Sequence, residues 1–151
     1  MLDKSLIETF VTSLLQAATA FMLYKSLRLS KDSKKVDILV SVTNRYVELW
    51  DRMEAARTNP QAPAERLYEK FWSLQREQFR YWRLGFIDVI DYRFWLKSRH
   101  EEQQKLKPIQ DVSYRDGANA AIKDIGDPDF SHFMDLVFRG EIDQALTKYK
   151  P

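Results

Sequence analysis

The sequence predicts an all-α protein: an N-terminal helix, read as transmembrane, followed by a small helical bundle. Three observations carry this. Glycine is scarce, with four in 151 residues, and three of the four stand where a helix would end. Good helix formers (Leu, Ala, Glu, Lys, Arg and Gln) dominate, and β-branched runs are few. Apolar residues recur at spacings of three and four through most of the chain. With 44% apolar and 30% charged residues the chain has the composition of a globular protein and not of a disordered one.

The first element is the apolar run Leu6–Tyr24, nineteen residues whose only charge is Glu8. As a helix it rises about 28 Å, against ~30 Å for the hydrocarbon core of a bilayer. Glu8, Thr12, Gln16 and Thr19 fall on one stripe of that helix, and apolar side chains occupy the rest of the wheel. In a span, Thr12, Gln16 and Thr19 form a contact face able to hydrogen-bond to a partner helix, and Glu8 lies near the end, at the interface. In a soluble protein the same stripe faces water. The basic segment after the run favours the span. Lys25, Arg28, Lys31, Lys34 and Lys35 come directly behind Tyr24, against one Asp32, while Asp3, Lys4 and Glu8 lie before the run or at its start. That asymmetry places the C-terminal side in the cytoplasm, with the basic residues meeting anionic lipid at the membrane surface. A cleaved signal peptide is not expected, because "MLDKSLIE" has no basic n-region. The domain reading is an anchor helix over 1–29 and a helical bundle over 30–151.

Residues 36–57 are a helix with Val36, Leu39, Val40, Tyr46, Val47, Trp50 and Met53 as its apolar positions. It either continues from the first element or restarts with Ser30 or Asp32 as N-cap. Asn59-Pro60 ends it, and "TNPQAPAE" is a loop. Pro63 opens the next helix, which runs to about Leu84 with Leu67, Tyr68, Phe71, Trp72, Phe79 and Trp82 on its apolar face. Glu69, Ser73, Arg76, Glu77, Arg80 and Arg83 lie opposite. Gly85 is a left-handed stop, and Asp88 caps the following helix with Asp91 in its first turn, so "RLGFID" is the turn of a helical hairpin. Pro108 interrupts the pattern. Residues 111–125 hold a short helix, Asp127-Pro128 restarts one that stops at Gly140, and "EIDQALTKYK" is the last.

Composition narrows the chemistry. Without cysteine there is no disulfide, thiolate metal site or catalytic thiol. Five of the 24 basic residues and one of the 22 acidic ones fall in 25–35, leaving 19 against 21 elsewhere, which is not the charge of a nucleic-acid binder. The Arg- and aromatic-rich stretch Arg76–His100 reads as a core face beside a solvated one, not as a base-stacking platform. His132 has Asp129 and Asp135 three residues to either side, a spacing that chance supplies often, and His100-Glu101-Glu102 diverges around a helix. Asp88 and Asp91 are better explained as a cap and a first-turn acid than as an acid–base pair. No phosphate loop, dinucleotide fingerprint or nucleophile elbow is present.

Two resemblances rest on these motifs. "GEIDQALTKYK", through Gly140, Ala145, Leu146 and Tyr149, resembles half of a tetratricopeptide helix pair. The order of apolar run, basic stretch, "NRYVELWDRM" and "FWSLQREQFRYWRLGFIDVIDYRFWL" resembles uncharacterised bacterial proteins with an N-terminal anchor and a helical cytoplasmic domain. Phe79, Tyr81, Trp82, Gly85, Ile87, Asp88 and Trp95 carry it, over Val36 to Gln104. This likeness implies a fold and an anchor, and it transfers no site. The expected function is non-catalytic: a single-span accessory protein of the inner (cytoplasmic) membrane, docking on a larger membrane complex and touching lipid. No cofactor or nucleic acid is expected, and no small-molecule substrate is inferred. The alternative is a soluble helical binding module that self-associates through residues 6–24.

Overall fold

The computed structural model describes residues 4–59 and 61–150, with side chains described from Phe21 onward. It is all-α. In chain order the helices are α1 (Lys4–Ala56), α2 (Ala64–Arg83), α3 (Val89–Lys105), α4 (Tyr114–Ile125), α5 (Pro128–Phe138) and α6 (Ile142–Tyr149). The chain divides into two compact units, Met1–Asp37 and Ile38–Pro151. The boundary falls within α1, which runs without a break where the sequence left a restart at Ser30 or Asp32 open.

In the first unit the described residues from Phe21 to Lys34 are all exposed, among them Phe21, Met22, Leu23, Tyr24, Leu27 and Leu29. The second unit is a helical bundle around an aromatic core. Its part of α1 meets the core along one line, Val42, Tyr46, Leu49 and Met53, spaced four, three and four. Trp50 packs beside them. Val40 and Val47 are about half exposed. The apolar positions of this helix therefore do not form the single stripe expected. One narrow line suffices to seat the helix, and the valines lie on another face.

Local signals set the helix ends. Asp88 caps α3, accepting from Ile90 N at 2.8 Å, and Asp127 caps α5, accepting from Phe130 N at 3.1 Å, with Pro128 at the first position. Gly85 and Gly140 take φ of +73° and +83°, left-handed values open to glycine at little cost, and so close α2 and α5. Pro63 stands just outside α2 as its N-cap residue, one position earlier than expected. Between α3 and α4 a tight turn pairs Ile109 with Val112. There the Gln110 amide donates to the Ala62 carbonyl and the Arg57 guanidinium donates to that of Lys107.

α2 and α4 approach closely because Gly117 has no side chain. A Cβ at that position would lie 2.3 Å from the Tyr68 ring. The core then fills with rings. Trp72 lies 5.6 Å from Tyr114 and 5.5 Å from Phe138 between centroids, and Phe79 lies 4.7 Å from Phe133. Trp82 stacks on Tyr92 at 5.1 Å. Such ring contacts add about 0.5–1.5 kcal/mol each beyond area burial.

Candidate functional site

The sequence-predicted contact face of Thr12, Gln16 and Thr19 lies outside the residues whose side chains are described. Of the basic residues, Lys25, Arg28, Lys31 and Lys34 are exposed and Lys35 is half-buried. None of the five has an ion-pair partner among the described residues.

The histidines are absorbed by structural contacts. His132 Nδ1 lies 2.8 Å from the Tyr149 hydroxyl and 3.1 Å from Lys148 Nζ. Its two neighbouring aspartates turn elsewhere: Asp129 pairs with Arg83 at 3.2 Å, and Asp135 with Arg115 at 3.4 Å. His100 Nδ1 lies 3.2 Å from Gln103 Nε2, and its ring packs against Gly140, where a Cβ would come within 3.3 Å. Among the described residues no group of three or more His, Asp or Glu is placed to hold a metal.

The one concentrated piece of chemistry among the described residues is a buried polar cluster absent from the sequence-based expectations. Its centre is Arg99 of α3, only 4% exposed. The guanidinium lies over the Tyr46 ring at 4.6 Å and the Phe71 ring at 5.1 Å. Nη1 donates to Glu102 Oε2 at 2.8 Å, and the Tyr114 hydroxyl donates to the same oxygen at 2.8 Å. Nε has no partner. Beside the cluster on α2, Gln75 and Gln78 are also buried, and the Gln75 amide nitrogen is unpaired as well. Burial pushes the Glu102 carboxyl above the usual carboxylate value, although Arg99, Tyr114 and Tyr46 pull the other way. Burial likewise raises the Tyr92 and Tyr114 phenols well above the ordinary tyrosine range. The Tyr114 hydroxyl therefore serves Glu102 as a neutral donor.

The signal for Arg99 is present in the sequence. Tyr92, Leu96 and Arg99 are spaced four and three and are the buried residues of α3. An arginine continues the core stripe where an apolar residue is expected. The aromatics and arginines of Arg76–His100 do separate onto two faces along α2, where Arg80 and Arg83 are exposed and Arg76 pairs with Asp127 at 2.9 Å. The separation fails in α3, where Arg99 is buried and Phe94 is exposed.

No family model, curated protein or solved structure matches the chain. Its function is therefore read from its own residues.

Proposed function

We propose that the protein is a non-catalytic, membrane-anchored helical accessory protein. The N-terminal part of α1 is held by the bilayer, and the bundle is the cytoplasmic part that docks on a larger membrane complex. The observation that carries this is the run Phe21–Leu29. Six large apolar side chains there are 60–71% exposed, and they merge into a basic row without ion pairs among the described residues. Apolar surface of this extent favours removal from water, and lysines beside it favour an anionic headgroup layer. In this reading Thr12, Gln16 and Thr19 meet a partner helix, and Lys25, Arg28, Lys31, Lys34 and Lys35 lie at the membrane surface on the cytoplasmic side.

Among the described residues no helix is long and apolar enough to cross a membrane, and the side chains of residues 6–20 lie outside them. In a second reading the run does not span. The exposed apolar side chains would then be covered by protein, in a helical binding module that self-associates through residues 6–24.

Fractionation of the full-length chain separates the two. An anchored chain resists a carbonate wash and yields to detergent. A chain that stays in the supernatant without detergent defeats the anchor, and its size in solution then tests self-association. Release by carbonate alone would replace the span with a helix lying on the surface.

A further inference from the structure

Beside Arg99 is a cavity of about 50 Å³, lined by Thr43 and Tyr46 of α1, Gln78 of α2, and Trp95 and Arg99 of α3. Gln78 and Arg99 are 3% and 4% exposed, whereas Thr43 is exposed and Trp95 half-buried, so the cavity reaches solvent on the Thr43–Trp95 side. Every lining side chain carries an N–H or O–H donor, and no carboxylate is among them. Glu102 takes Arg99 Nη1, and Nε remains buried without an acceptor. A buried cationic donor in that state forfeits its hydration with no return, and a ligand that only accepts would relieve it.

We propose that this cavity is a binding site for a small free monocarboxylate, which accepts from Arg99 Nε and the Gln78 amide. The guanidinium supplies the charge-assisted bond, and the Tyr46 and Trp95 rings supply apolar walls for a short carbon end. Size sets the class. A water-sized group needs about 10–15 Å³ of such volume, so the space admits about three to five atoms, which fits formate or acetate. A six-carbon acid such as gluconate exceeds that volume, and its hydroxylated chain would have to pass between Thr43 and Trp95. The inference is independent of the anchor, because its residues all belong to the unit Ile38–Pro151.

The test is thermal unfolding of the purified full-length chain, in detergent, with sodium formate, acetate or gluconate at equal sodium concentration. Formate or acetate should raise Tm in a saturable way, by about 3–6 °C at ten times Kd, and gluconate should not. Gln78→Leu should abolish the rise. Thr43→Val, at the exposed rim, should reduce it without unfolding the chain and carries the test if Gln78→Leu does not fold. Equal Tm in the three salts overturns the proposal. So does a rise that survives unchanged in the folded variants, since the acid would then bind elsewhere.

Discussion

Arg99→Met tests whether the buried cluster holds the bundle together. The substitution keeps the length and apolar body of the side chain and removes its charge and donors. Glu102 then loses its paired cation while its side chain is only 13% exposed, and it keeps the Tyr114 hydroxyl as a donor, with Tyr46 and Arg57 acting on it as well. Breaking a buried pair from one side costs about 3–5 kcal/mol, because the remaining charge stays desolvated. The two cation–π contacts would add about 1 kcal/mol or more, and methionine packing on the same rings returns part of that. A net loss of about 3–5 kcal/mol corresponds to a Tm lower by roughly 6–20 °C for a chain of this size. Glu102→Gln alone should cost less, since the amide oxygen still accepts from Arg99 and Tyr114. The double variant Arg99→Met, Glu102→Gln should recover part of the Arg99→Met loss, as no charge is left buried. Urea unfolding of the four proteins gives the coupling. A loss below about 1 kcal/mol for Arg99→Met, or strict additivity in the double variant, would refute the assignment of Arg99 and Glu102 as a desolvated pair.

The same contacts set four further outcomes. Gly117→Ala should destabilise by about 1–3 kcal/mol in denaturant titration: helix propensity gains about 1 kcal/mol, but a Cβ 2.3 Å from the buried Tyr68 ring overpacks the α2–α4 contact, so a more stable variant would be contrary. Asp88→Ala removes the cap on Ile90 N and should cost about 1 kcal/mol, whereas Asp88→Asn should cost little; equal effects on Tm would contradict the capping role. Because the folded Glu102 carboxyl lies above its usual value, the native chain binds the extra proton between the two values. Stability from this group therefore falls as pH rises through that window, and a midpoint-against-pH series should lose that component in Glu102→Gln. Asp127 runs the other way. Burial opposes its charge, but Arg76 and the Phe130 and Asp129 N–H groups hold its carboxyl below the usual value, so its contribution is present above that value and is lost at more acid pH; Asp127→Asn should flatten the acid limb.

The helical class and most element boundaries were legible because they rest on local chemistry. Asp88, Asp127-Pro128, Gly85 and Gly140 set backbone conformation within a few residues, whatever surrounds them. The choice of face was legible in α2, where six apolar positions recur over sixteen residues and charged groups fill the other side. It was less legible in α1. Val40 and Val47 follow the helical period as well as Val42 and Met53 do, and only the packing of other helices, α2 and α3 among them, decides which set is covered. Gly117 reads from sequence as a weak point in a short helix. Its reason is the Tyr68 ring, about fifty residues away in the chain.

The Arg99 cluster was hidden for a different reason. Composition treats arginine as surface, and "LKSRHEE" has the look of a solvated helix end. What seats the guanidinium is a set of partners drawn from four helices: Tyr46 from α1, Phe71 from α2, Glu102 from α3 and Tyr114 from α4. No window of sequence contains them together. Their arrangement also bears on why a polar group is kept in an aromatic core at all. Rings pack on one another in many tilts of similar energy, so a core built only of Phe, Trp and Tyr specifies helix register weakly. A guanidinium with one carboxylate and two ring faces to satisfy accepts far fewer arrangements. Any slip of α1 against α3 would take Tyr46 off Arg99, and any slip of α4 would take Tyr114 off Glu102. Arg99 thus converts a generic aromatic interior into one with a preferred register. This role predicts that the double variant, even where it unfolds no more readily than the native chain, shows weaker near-ultraviolet dichroism and faster hydrogen exchange in α3. A double variant with native dichroism and native exchange would show that the rings alone fix the register.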